Sequence, residues 1–79
     1  MMGAVETLVR AMQFFPALDP HRSDPVRNTP TAGRMAEFVG FPVSRAEVAE
    51  AVALVGVVPR DDSKLDQATK DRILRYWFD

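Results

Sequence analysis

Apolar residues recur along residues 4–15 at the period of an α-helix. Val5, Leu8, Val9, Met12 and Phe15 share one side, with Glu6, Thr7, Arg10 and Gln13 on the other. The spacing predicts an amphipathic helix that packs through its apolar stripe. Pro16 ends it. The pattern then breaks. Pro16, Pro20, Pro25 and Pro30 punctuate residues 16–30. Each proline removes a backbone donor and restricts the residue before it, so no helix survives that spacing. An extended proline-rich arm is expected here, serving as a linker, a wrap around the domain or a strip for a partner.

A short helix follows, with Thr29 as its cap and Pro30 in its first turn. Met35, Phe38 and Val39 form its apolar face, and Gly40 and Pro42 end it. Ser44-Arg45-Ala46-Glu47 then matches the capping box, in which hydroxyl and carboxylate each satisfy one free backbone N–H. Val43 and Val48 stand where a hydrophobic staple forms. The helix is expected to reach about Val55, with Val48, Ala51, Val52 and Val55 on one face and Gly56 closing it. The valine content of 52–58 makes a strand the competing expectation. After a turn at 59–63, Asp62 or Ser63 is expected to cap a last helix from Lys64 to Phe78. Leu65, Ala68, Thr69, Ile73 and Tyr76 fall on one side of it. Asp66–Lys70 and Asp71–Arg75 are acid-first i, i+4 pairs. The fold expected is an all-α compact bundle of three or four short helices in one domain. Residues 1–15 give a first helix, 16–30 the arm and 31–79 the helical core.

Composition narrows the function. The chain has 79 residues, no cysteine, one histidine and a formal net charge of −1. That excludes a disulfide scaffold, thiolate zinc and a cysteine nucleophile. It also argues against a polybasic coat for nucleic acid. So small a core supplies only a few kcal/mol of net stability, so a partner chain or a second copy is one way to complete it. No stretch approaches the roughly 20 apolar residues of a membrane span. No signal peptide is read at Met1–Arg10, where Glu6 and Arg10 interrupt any apolar run. The expectation is a cytoplasmic protein, and the start reads as that of a complete small reading frame.

Chemistry has little to build on. His21 with Ser23 and Asp19 or Asp24 has the residue types of a catalytic triad, but a proline-rich segment lacks the rigid scaffold a triad needs. Asp19, His21 and Asp24 lack a second cluster to complete a metal site. Asp61, Asp62 and Asp66 lack the glycine and spaced oxygens of a calcium loop. The four glycines are isolated, so no phosphate loop is present. The expectation is a non-enzyme with no cofactor and no metal.

Two binding readings remain. The C-terminal run Tyr76-Trp77-Phe78 cannot all face one core, because successive helical residues diverge by about 100°. Trp77 and Phe78 either cover the first helix and complete a small core, since a domain this small needs its large side chains, or, flanked by Arg72 and Arg75, serve as an interface anchor; both hold if a second copy completes the core. The first expectation is therefore a small interaction protein: an adaptor, inhibitor or assembly component that binds a protein surface. The competing reading is a small helix-turn-helix-like DNA-binding regulator, with Arg45, Lys64, Lys70, Arg72 and Arg75 on phosphates. Residues 65–74 resemble the third helix of lac-repressor-type DNA-binding heads over that helix alone, without the recognition helix before it. Five basic and five acidic residues cancel over 60–79, and the linker Val57–Asp62 exceeds the roughly three- to four-residue turn of that motif.

Overall fold

The computed structural model describes residues 3–15, 18 and 31–78. Within them the chain is an all-α bundle of four helices with no strand. α1 spans Ala4–Phe14, α2 Ala32–Val39, α3 Arg45–Leu54 and α4 Gln67–Phe78, with a 3₁₀ turn at Asp62–Lys64 before α4. The strand considered for 52–58 is absent: α3 continues to Leu54 and passes into turns. The proline-rich arm, His21, Asp19, Ser23, Asp24 and the Thr29–Pro30 start lie outside the described residues, except for Leu18. That residue is buried in the core, and its N–H donates to the Phe15 carbonyl at 2.9 Å.

α1 is the hub of the bundle. It packs most extensively on α3 and also meets α2, the 3₁₀ turn and α4. Leu8, Val9, Ala11 and Met12 join Met35, Phe38 and Val39 of α2, Val48 and Ala51 of α3, and Ile73 of α4 in one core. The first helix therefore packs on residues 31–78 and supplies part of the same core. Because neighbours surround it, part of the polar side expected to face water is buried as well: Thr7 and Gln13 are buried and Arg10 is half-buried, while Glu6 stays exposed. Thr7 tolerates burial because its hydroxyl donates back to the Gly3 carbonyl at 3.0 Å. Gln13 and Arg10 do something further. Gln13 Nε2 donates to the carbonyls of Val55 at 3.0 Å and Val58 at 2.6 Å. Arg10 Nη1 donates to the Pro59 carbonyl. The last turn of a helix leaves carbonyls without intrahelical partners, and here α1 supplies the donors for the end of α3 and the segment after it.

This corrects the expected ending of α3. Gly56 does not take the left-handed conformation; Gly40 alone among the described residues has positive φ. The N–H groups of Val57 and Val58 instead return to the Leu54 carbonyl at 3.0 and 2.9 Å. The start of α3 follows expectation. Glu47 N–H donates to Ser44 Oγ at 3.1 Å, and Ser44 N–H donates to Glu47 Oε1 at 2.8 Å. Val48, Ala51 and Val55 are buried, and Val52 is half-buried.

Two caps move. Thr31, not Thr29, caps α2, its hydroxyl accepting from the Arg34 N–H at 3.2 Å. α4 begins at Gln67 rather than Lys64. Asp61, not Asp62 or Ser63, caps the 3₁₀ turn, its carboxylate accepting from the Ser63 N–H at 3.1 Å. Asp66 caps α4, accepting from the Thr69 N–H at 3.3 Å. Short polar residues compete for such positions, and the buried Leu65 decides between them by seating the chain between the two caps. Leu65, Thr69 and Ile73 are buried as expected, whereas Ala68 is exposed. Neither expected i, i+4 ion pair forms: Asp66 is used as the cap, and Asp71 accepts from Gln67 Nε2 at 2.9 Å.

Candidate functional site

The end of α4 runs past the core and carries the largest concentration of exposed apolar side chain among the described residues. Leu74 and Trp77 are each 37% exposed, Tyr76 46% and Phe78 73%. Expected to share the core face with Ile73, Tyr76 instead lies at the rim, its ring meeting Phe38 of α2 edge-on at 5.4 Å. One turn earlier, Ile73 still points inward; one turn later, no core remains for the helix to cover.

The rings form a continuous series. Phe38 meets Tyr76, Tyr76 meets Trp77 at 5.3 Å, Trp77 stacks on Phe15 at 5.3 Å, and Phe78 meets Phe15 edge-on at 5.9 Å. Trp77 thus has a structural side, against Phe15 at the end of α1, and a side left to solvent. Phe78 is mainly solvent-facing. Such pairs orient the rings as well as burying area.

Cations border this strip. The Arg34 guanidinium sits 4.3 Å above the Tyr76 ring centre, a cation–π arrangement. Arg72 is held in place: its Nε donates to the Phe38 carbonyl at 2.7 Å and its Nη2 to Thr69 Oγ1 at 3.1 Å. It closes the C-terminus of α2, where Gly40 takes φ 82° and its N–H returns to the Ala36 carbonyl. A side chain at Gly40 would press on that guanidinium, with Cβ 3.0 Å from Arg72 Nη2. Thr69 extends the network to Asp66. Hydrogen bonding from the Thr69 side chain, then from its backbone N–H, together with the Arg72 charge, holds the Asp66 carboxyl below the usual carboxylate range. Asp61 is lowered likewise, chiefly by the Ser63 hydroxyl.

Between α2 and α4 these residues enclose a shallow cleft of about 230 Å³, lined by Glu37, Phe38, Arg72, Arg75 and Tyr76. Arg72, Arg75, Trp77 and Phe78, the residues expected to bind a partner, are therefore brought to adjoining surfaces. Arg34, Glu37, Phe38 and Phe15 were not foreseen, because they reach the site from other helices and no spacing within α4 indicates them.

Of the cations of the competing DNA reading, Arg72 and Arg75 share the cleft, whereas Arg45, Lys64 and Lys70 do not join them. Lys70 leans toward α1, its ammonium 5.8 Å from the Phe14 ring centre, whereas Arg72 turns toward α2. Arg45 is the first residue of α3, and Lys64 ends the 3₁₀ turn. α3 and α4 make at most a marginal contact, each packing on α1 and α2 instead. Among the described residues no three His, Asp or Glu side chains converge as metal ligands, and no helix is long and apolar enough to cross a membrane. Comparison with protein-family models, curated proteins and solved structures returns no match for this chain.

Proposed function

We propose that this chain is a non-enzymatic interaction protein that binds a protein surface through the aromatic end of α4. Phe78 and the outer side of Trp77 are the anchors; Arg75 and the pinned Arg72 orient the partner. The observation that carries the reading is the exposed ring series Tyr76–Trp77–Phe78, which continues into the core through Phe15 and Phe38. A contiguous apolar patch on so small a surface marks an interaction site, and aromatic and arginine side chains are the residue types that dominate binding energy. The placement of Arg45, Lys64 and Lys70 away from Arg72 and Arg75, and the separation of α3 from α4, favour this over duplex DNA, whose recognition requires one phosphate-facing basic surface.

The test is affinity capture from the native cell lysate, with and without nuclease, using wild-type and Phe78→Ala baits. The expected result is a protein that survives nuclease and is lost with Phe78→Ala. A retained set that disappears with nuclease, or one indifferent to Phe78→Ala, rejects the reading.

A further inference from the structure

Resting on that reading, we infer that the α2–α4 cleft takes an acidic side chain of the partner, set beside an apolar residue that covers Trp77 and Phe78. The cleft is open and shallow, and its volume of about 230 Å³ falls below the roughly 300–1,000 Å³ of sites that bury a drug-sized ligand. It suits a side chain or two of a docked segment. Its floor is aromatic, from Phe38 and Tyr76, and its charge is unbalanced. Arg72 and Arg75 line it and Arg34 lies over the Tyr76 ring, against the single carboxylate of Glu37.

Those guanidinium groups are not consumed elsewhere. Arg72 uses Nε and Nη2 on Phe38 and Thr69, which fixes the plane of the group and leaves Nη1 without a hydrogen bond among the described residues. Arg75 forms no ion pair among them; Asp71, its i−4 neighbour, is hydrogen-bonded to Gln67. A planar, pre-oriented guanidinium beside an exposed one is a donor arrangement that suits a carboxylate, through charge-assisted hydrogen bonds. Tyr76 touches Trp77, so a carboxylate in the cleft places the next residues of the partner over the exposed rings. Glu37 opposes such a ligand, which gives the proposal two mutations of opposite sign.

The experiment selects random displayed peptides on the full chain, then titrates a synthetic copy of the dominant sequence by the fluorescence of Trp77, the only tryptophan. The expected winners carry Asp or Glu next to a large apolar residue. Changing that acid to its amide weakens binding by about tenfold or more, Arg75→Gln does the same, and Glu37→Gln tightens it. Circular dichroism establishes that each variant keeps its helices. Winners without an acid that are still lost with Phe78→Ala overturn this inference and leave the broader reading standing. Winners indifferent to both Arg75→Gln and Phe78→Ala overturn both. No enriched sequence overturns the inference. So does a concentration-dependent dimer that dissociates with Arg75→Gln, which assigns the cleft to a second copy. Duplex DNA binding that requires Arg75 assigns it to phosphate and overturns the proposal as well.

Discussion

Replacing Gln13 by methionine isolates the tether between α1 and the end of α3. Methionine preserves the unbranched shape and nearly the helix propensity of glutamine. It removes both donors and leaves the Val55 and Val58 carbonyls without this partner. The first bond is buried and the second partly so. Stranding a buried acceptor costs about 1–3 kcal/mol; Val58 lies at the lower end because water reaches it. The apolar body of methionine returns less than about 1 kcal/mol, and losing Gln13 Oε1, buried without a hydrogen-bond partner among the described residues, returns part of a further cost. The net expected loss is about 1–2 kcal/mol, still a sizeable share of the roughly 4–12 kcal/mol available to a chain of this length. Urea unfolding followed by circular dichroism measures it directly, and the melting temperature should fall by roughly 5–15 °C. Gln13→Glu supplies a check on sign. Its carboxylate would face two carbonyl oxygens in a buried setting, so its folded-state pKa rises above the unfolded value of about 4.3. A neutral acid still donates one bond, so the deficit relative to wild type is smallest below that value. It grows as pH rises through the folded pKa. A Gln13→Met protein within about 0.5 kcal/mol of wild type refutes the tether, as does a Gln13→Glu deficit that ignores pH.

Three further outcomes are expected. Asp66→Ala should lose about 1 kcal/mol with the α4 cap. Because the Asp66 carboxyl is held below its ordinary range, the charge-dependent part of the cap is complete above the unfolded pKa of about 3.9. It disappears as pH falls through the folded value, so the gap in stability between wild type and Asp66→Asn should close in acid; a constant gap contradicts this. Gly40→Ala should cost about 1–2 kcal/mol for its left-handed backbone, plus the pressure on Arg72, and chemical denaturation of Gly40→Ala, Arg72→Ala and the double variant should reveal coupling between the two sites. Additive effects deny the contact. Phe78→Ala should remain within about 0.5 kcal/mol of wild type, whereas Trp77→Ala should lose about 1–2 kcal/mol with its stack on Phe15. Equal thermal stability of the two variants removes the distinction between anchor and core.

The local chemistry of this chain is legible residue by residue. The capping box at Ser44 and Glu47 closes within four consecutive residues, so nothing distant alters it. The left-handed Gly40 at the end of α2 follows from its missing Cβ at the cap, and the apolar stripes of α1 and α3 from helical period. Where several short polar residues compete, as at Asp61, Asp62, Ser63 and Asp66, local preference alone does not choose. Burial of Leu65 and Thr69 then selects Asp61 and Asp66.

The candidate site divides along the same line. That Tyr76, Trp77 and Phe78 cannot all face one core follows from helical geometry, and the composition of the run with Arg72 and Arg75 is that expected of an interface anchor. Which ring is exposed, and which cation is free to act, depends on α1 and α2. Phe15 claims one side of Trp77, Phe38 and Arg34 hold Tyr76 at the rim, and Phe38 and Thr69 occupy two of the donors of Arg72. The same holds for Arg10 and Gln13, polar residues on what reads as a solvent face. Helical period determines which residues share a side. Only packing determines whether that side meets water or the unpaired carbonyls of another helix, because the partners lie some 42 to 49 residues away in the chain.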